Sequence, residues 1–357
     1  MNRSLPGTSR GATVVRAMKS TLWGVGIMVV GAVILSAAPI PNGAVMVSHD
    51  NGTVKHFTPA GVLVQTLTGG SSFMTGSTFD AEGNFFVTNF GANVVKKYDN
   101  NGVFVSNTVG VGSLPESIVF NSAGDYIVGS VGGGLRRFSA AGALLETDLA
   151  TTRIDWFDLA ADQELVYYTQ EGRTIQRYNL VTNTAGATIN LPGTGSAFAI
   201  RLLPGGGLLV ADRLNIKRLD SAGVVVQDYD QAGIDDWFAL NLDPDGLTFW
   251  SAGINGGRVR RFNLASEAVV GSFDSPGQVF GLSVRGEIAV GEGRCDVNSD
   301  NRIDSLDIEA IMAARNQVSS GPTDPRDFDR NGTITVTDAR ACTRICTDAL
   351  CATQAAK

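Results

Sequence analysis

Between Gly43 and Gly291 the chain alternates short apolar runs with turns rich in Gly, Asn and Asp, and it nowhere carries the spacing of an amphipathic helix. The runs are organised in a unit that recurs about every forty residues. Its marker is a basic pair, or a close variant, followed by a large apolar residue. The markers are KHF ending at Phe57, KKY at Tyr98, RRF at Phe138, QRY at Tyr178, KRL at Leu219 and RRF at Phe262, spaced 41, 40, 40, 41 and 43 residues apart. A turn follows the marker, as in DNNG after Tyr98, SAAG after Phe138 and DSAG after Leu219. About ten residues before most markers lies a second run ending in small or polar residues: VTN at Asn89, VGS at Ser130, YTQ at Gln170, VAD at Asp212 and WSA at Ala252. Ahead of that come a third apolar run and a further turn, as in STFDAEGN around Asp80 and LNLDPDGL around Asp243. Each unit reads as four short strands.

Four strands per forty residues, repeated radially, is the plan of a β-propeller. The expected fold class is therefore all-β over residues 43–293. Six marker strands predict six blades. The strand type that ends in a small residue occurs a seventh time, since both VMVS at Val47 and IAVG at Val290 qualify, and seven smaller blades are the alternative. With six blades, Val279–Leu282 and Ile288–Val290 would complete a blade begun by strands near Val54–Phe57 and Val62–Leu67, which removes the open sheet edge. The best-formed unit, GGGLLVADRLNIKRLDSAG from Gly205 to Gly223, resembles the repeats of NHL-type six-bladed propellers. Families built this way include extracellular binding scaffolds as well as lactonase- and lyase-type enzymes with a metal at the channel mouth, so the resemblance implies a fold and leaves function open.

Charge and composition narrow the function classes. There are 35 acidic against 28 basic residues, a net charge of -7, which argues against a nucleic-acid partner. Two histidines in the whole chain, His49 and His56, exclude a multi-histidine metal site and read as exposed strand residues. Asn89, Gln170, Asp212 and Glu292 occupy equivalent strand ends, where such side chains ordinarily hydrogen-bond the following turn. Asp155-Trp156-Phe157 and Asp235-Asp236-Trp237-Phe238 recur two blades apart. Their rings would pack between blades or, on an open face, offer a platform to a carbohydrate or protein ligand. The basic pairs read as a solvated strand face. No catalytic residue is assigned.

The two ends have a different character. Arg3, Arg10, Arg16 and Lys19 precede an apolar run from Leu22 to Ala38 that closes on small residues, the pattern of a secretory signal peptide over residues 1–38. A membrane anchor is the alternative. All four cysteines, Cys295, Cys342, Cys346 and Cys351, fall in the last 63 residues. In an oxidising compartment they predict two disulfides stapling a small module over 294–357, with three connectivities open.

Within that module DVNSDNRIDSLD (Asp296–Asp307) and DFDRNGTITVTD (Asp327–Asp338) place oxygen side chains at loop positions 1, 3, 5, 9 and 12, the ligand rhythm of a calcium loop. The first loop would use Asp296, Asn298, Asp300, the Arg302 carbonyl, Asp304 and Asp307. The second would use Asp327, Asp329, Asn331, the Thr333 carbonyl, Thr335 and Asp338. Aspartate at position 12, with a helix only after each loop, makes Asp296–Gln317 and Asp327–Cys346 resemble the two repeats of a type I dockerin. That resemblance implies a small α-helical domain that folds on two Ca2+ ions and docks onto a cohesin-like protein or cell-surface scaffold. It further implies partner-reading residues at Ser305, Leu306, Val336 and Thr337. The expectation is a secreted, non-catalytic β-propeller binding protein tethered through this module. The alternative is a hydrolase or lyase acting on polysaccharide, which would need carboxylates or a metal converging at the channel mouth.

Overall fold

Six antiparallel sheets account for nearly every strand of the computed structural model, which describes residues 38–69, 72–147, 153–204, 206–288, 295–298, 302–321, 324–328, 332–343, 346 and 351–353. The expected signal peptide up to Ala37, and Glu292, Asp300, Asp329 and Asn331, lie outside those residues. From the innermost strand outward, blade 2 is Met74–Phe79, Phe85–Asn89, Val94–Tyr98 and Phe104–Thr108. Blade 3 is Pro115–Phe120, Tyr126–Ser130, Gly134–Phe138 and Leu144–Thr147. Blade 4 runs Phe157–Leu159, Leu165–Tyr168, Thr174–Asn179 and Thr184–Ala185, and its third strand also pairs with Ile189–Asn190. Blade 5 is Ile200–Leu202, Leu208–Asp212, Asn215–Leu219 and Val225–Tyr229; blade 6 is Trp237–Leu242, Thr248–Gly253, Arg258–Asn263 and Val269–Asp274. The innermost strands touch one another in a closed ring. The protein is a six-bladed β-propeller, and the seven-bladed alternative falls.

Blade 1 closes the ring by joining the two ends of the propeller chain. Its innermost strand, Val279–Val284, pairs antiparallel with Val45–His49, followed outward by Val54–Phe57 and Leu63–Leu67. The register sets Val45 against Val284, Val47 against Leu282 and Ser48 against Gly281. The expected closure differs in one strand. Ile288 is buried but outside any strand, Val290 lies outside the described residues, and Val45–His49 takes the second place. All five residues of that strand are buried, as are those of Phe85–Asn89 and Tyr126–Ser130.

Local chemistry explains the hairpins. Thr58, Asp99, Ser139 and Asp220 each turn a side-chain oxygen back to accept from the backbone N–H four residues on. The glycine between, such as Gly102 at φ 79°, takes the left-handed conformation the turn demands. The marker strand bulges before its final residue in five blades, and its terminal ring or leucine is buried in all six.

The basic pairs are not a solvated face. Lys96, Lys217 and Arg260 are buried, and in blades 2, 3 and 6 the second basic residue reaches an acid at the first hairpin of its own blade. Lys97 lies 3.8 Å from Asp80, Arg137 3.8 Å from Asp125 and Arg261 2.7 Å from Asp243. The aliphatic stems fill space over neighbouring rings, with the Lys97 Nζ 4.9 Å from the Phe86 centroid. The histidines are buried too. His49 bonds the Ser275 hydroxyl at 2.8 Å and the Gln278 carbonyl at 3.1 Å, which ties blade 1 to the segment arriving from blade 6.

Among the described residues after the propeller are two helices, Ser305–Ala313 and Val336–Cys342. Each starts with a capping box: Asp304 with Asp307, and Thr335 with Asp338. Of the three possible connectivities the structure has Cys295–Cys342 and Cys346–Cys351, spanning 47 and 5 residues.

The closing pairing leaves no room at its centre. A Cβ on Gly281 would stand 1.9 Å from the Thr75 carbonyl oxygen of blade 2. Gly281→Val is expected to lower the thermal unfolding midpoint by several degrees, through a loss on the order of 3 kcal/mol, measurable by calorimetry; an unchanged midpoint would mean the ring closes differently.

Candidate binding mouth

At the end of the channel where the innermost strands begin, a mouth of about 550 Å³ takes side chains from all six blades. Five phenylalanines form one continuous run of rings. Phe90 stacks on Phe73 at 4.4 Å, Phe73 meets Phe280 at 5.0 Å, Phe280 meets Phe238 at 5.7 Å, and Phe238 meets Phe198 at 4.7 Å. Glu116, Arg153, Glu171 and Arg213 line the same mouth.

The inward aim of three of these residues has a backbone cause. In blade 6, Trp237 and Ala239 pair with Gly253 and Ala252, which leaves Phe238 as the extra residue of a bulge. Blade 3 repeats this with Glu116, between Pro115 paired to Ser130 and Ser117 paired to Gly129. In blade 1, Gly281 and Val279 pair with Ser48 and His49, and Phe280 is the extra residue. A bulge re-aims one side chain against the pleat, which here delivers a residue to the axis.

The polar sector surrounds Arg153. Its guanidinium lies 2.9 Å from Asp155 and 2.5 Å from Glu171, and its carbonyl accepts from the Gln170 side chain at 2.8 Å. Glu116 is 5% exposed. Burial, reinforced by the Asp155 and Glu171 carboxylates, raises its carboxyl well above the usual range, while Arg153 and the Trp156 indole pull the other way. Burial also pushes Asp155 up to about 6, against Arg153. Arg213 is exposed, sits at φ 53°, and accepts the Trp237 N–H on its carbonyl at 2.7 Å.

The other end of the channel is tighter, about 110 Å³, and is lined by charged side chains, among them the Arg201–Glu287 ion pair. Arg201 Nε lies 2.8 Å from Glu287, whose same oxygen accepts the Leu242 N–H, and Asp158 accepts the Leu202 N–H at 2.7 Å. These contacts link blades 4, 5 and 6 and fill the end opposite the rings.

The residues singled out from sequence are dispersed. Asn89 accepts from Ser72 and from the Ala92 N–H, the expected turn role. Asp212 lies 3.2 Å from Lys217 and 3.8 Å from Arg173, an ion pair rather than a turn. Gln170 holds Arg153, and Glu292 lies outside the described residues. Trp156 and Trp237 are buried packing, and of the two aromatic motifs only Phe238 reaches the mouth. The other four phenylalanines and all four charged residues escape that reading. One signal was available: Phe73-Met, Phe198-Ala, Phe238-Ala and Phe280-Gly fall at or just before the starts of innermost strands.

In the C-terminal loops, Asp307 accepts the N–H groups of Val297, Asn298 and Asp304, and Asp338 accepts the N–H and hydroxyl of Thr335. Asp327 is 2% exposed; one of its oxygens accepts the Gly332 N–H at 2.9 Å, and the other, Oδ1, is buried without a partner. Among the described residues no three His, Cys, Asp or Glu side chains gather as a metal site. Leu306, Val336 and Thr337 are exposed at the helix starts, and Ser305 is half-buried.

Comparison with known protein families and with characterised proteins gives no match.

Glu116 offers a direct check of the polar sector. A carboxyl whose folded pKa is raised contributes most below its unfolded value of 4.5 and loses that contribution as pH rises through the folded value. Glu116→Gln is therefore expected to gain stability relative to wild type as pH is raised above about 4.5, seen by thermal unfolding across pH; a constant difference would contradict the shift.

Proposed function

We propose that this is an exported binding protein whose ligand seats in the propeller mouth, with a calcium-folded C-terminal module for attachment. The observation that carries the reading is the run of five phenylalanine rings. Phenyl rings neither donate nor accept protons and do not attack; placed together at an opening about 550 Å³ in volume, they supply apolar contact area. The blades behind them fix their positions, so a ligand meets a preformed surface and ordering costs little.

For the C-terminal module, the buried Asp327 Oδ1 supports calcium. A carboxylate oxygen buried without a donor is unfavourable unless a cation neutralises it. The residues that would hold the two ions are those of the two loops, from Asp296 to Asp307 and from Asp327 to Asp338. When bound, calcium supplies charge neutralisation and crosslinks each loop to the start of its helix. The exposed Leu306, Val336 and Thr337 would then be free to meet a cohesin-like protein or cell-surface scaffold, with Ser305 beside them. Export and the likeness to dockerin and NHL-type repeats belong to this proposal. A second reading, an enzyme acting on polysaccharide, draws on Glu116 and Asp155, whose raised pKa values are those of a proton donor and its neighbour.

Two measurements test the proposal. N-phenyl-1-naphthylamine, a neutral probe that fluoresces in apolar sites, is expected to bind wild type, and its signal is expected to fall at least about tenfold in affinity in a Phe238→Ser, Phe280→Ser variant that keeps its melting midpoint. Absence of binding to wild type would remove the mouth as the site. In calorimetry, added Ca2+ is expected to stabilise the C-terminal transition, EDTA to reverse this, and Asp296→Ala with Asp327→Ala to abolish it; a transition indifferent to Ca2+ would remove the calcium module.

A further inference from the structure

The charges at the mouth are unevenly paired. Arg153 is engaged by Asp155 at 2.9 Å and Glu171 at 2.5 Å. Glu116 is buried, and its environment favours the neutral acid. Of the two arginines lining the mouth, Arg213 has no ion pair and no side-chain hydrogen bond to a described residue. It follows the second strand of blade 5 and bridges to Trp237 of blade 6, the residue before Phe238; Phe198 and Phe238 line the same mouth. Its backbone is held in the left-handed region, φ 53°, which a residue with a Cβ adopts at a cost. The cost is sustained by the Trp237 N–H bond to its carbonyl and by the ion pairs of the adjacent Asp212 with Lys217 and Arg173. The two-residue turn between the paired Asp212 and Asn215 requires that left-handed backbone, and it leaves the Arg213 guanidinium unpaired at the mouth.

We propose that the mouth takes a small amphipathic carboxylate, its apolar body laid on the phenylalanine run and its carboxylate paired with the Arg213 guanidinium. This rests on the mouth being the ligand site and adds the ligand's charge and class. The planar fork of a guanidinium matches two carboxylate oxygens. The rings exclude water from one side of that pair, which strengthens it relative to a pair in bulk solvent. The volume, about 550 Å³, is that of a small-molecule site. A cationic ligand finds the opposite situation, because Glu171 and Asp155 are already occupied by Arg153.

Titration calorimetry with 4-phenylbutyrate, its neutral amide and 4-phenylbutylamine tests this on the whole protein at low salt. The carboxylate is expected to bind at least about tenfold more tightly than the amide, with the amine weakest. Arg213→Gln is expected to remove the preference for carboxylate over amide while N-phenyl-1-naphthylamine still binds; Arg213→Lys is expected to retain part of it. Equal affinities for carboxylate and amide in wild type, a preference for the amine, or a preference that survives Arg213→Gln would each overturn the inference. If the neutral probe binds and the carboxylate preference is missing, only the charge assignment falls; if neither binds, the mouth falls with it. The comparison of ligands on wild type does not depend on any variant folding.

Discussion

The strand pair Val279–Val284 with Val45–His49 is the interaction on which the rest of the propeller depends. Five blades are hairpin-connected and local in sequence, whereas this pair joins residues more than two hundred positions apart. Without it the innermost strand of blade 1 would be missing, the ring of innermost strands would open, and two sheet edges would face solvent with unpaired backbone groups. The contact is made tight by absence of side chain at Gly281, which lets the Thr75 carbonyl of blade 2 approach. It is pinned at one end by His49, buried against Ser275 and Gln278. Burial there, with the nearby Lys55 charge, lowers the His49 pKa to about 4, so the ring remains neutral where most of the carboxylates are ionised.

The same closure sets the mouth. Phe280 belongs to the closing strand and sits in the middle of the ring run, between Phe73 of blade 2 and Phe238 of blade 6. Removing the strand would split the apolar surface into two halves. The two ends of the channel also divide labour. Arg201, Glu287 and Asp158 satisfy one another and the adjoining backbone at the narrow end, a structural ion group in little space. At the wide end the bulges turn out Phe238, Phe280 and Glu116, and Arg213 is left unpaired. The polar groups named at the narrow end are paired, and at the wide end Arg213 is not.

Much of the fold was legible because a repeat reports itself. Six markers spaced about forty residues apart gave the blade number, and the turn residues Asp99, Ser139 and Asp220 took the role their chemistry suggests. The exact closing strand was missed because Val45–His49 and the segment near Val290 look alike, and only the three-dimensional register separates them. The burial of Lys96, Lys217 and Arg260 was missed because long basic stems can pack while their heads reach an acid or, for Lys96, the Asn107 side-chain oxygen, a pairing invisible without the fold. The mouth leaves the least trace in the sequence. A bulge has no sequence mark of its own, so nothing in Pro115-Glu116-Ser117 announced that Glu116 would face the axis. Arg213 follows a motif that drew attention only to Asp212. For the C-terminal loops the ligand rhythm was plain, and the burial of Asp327 and Asp338 accords with it, while the ions themselves remain a proposal.

Hydrogen exchange on the closing strand tests the account most directly. If the pairing of Val279–Val284 with Val45–His49 is the constraint that holds the ring and the mouth together, its amides should open only with the whole propeller. They are then expected to exchange as slowly as those of Met74–Phe79 and Trp237–Leu242, the innermost strands on either side. Exchange of Val279–Val284 orders of magnitude faster than those neighbours would show that the ring stands without it, and would contradict the account.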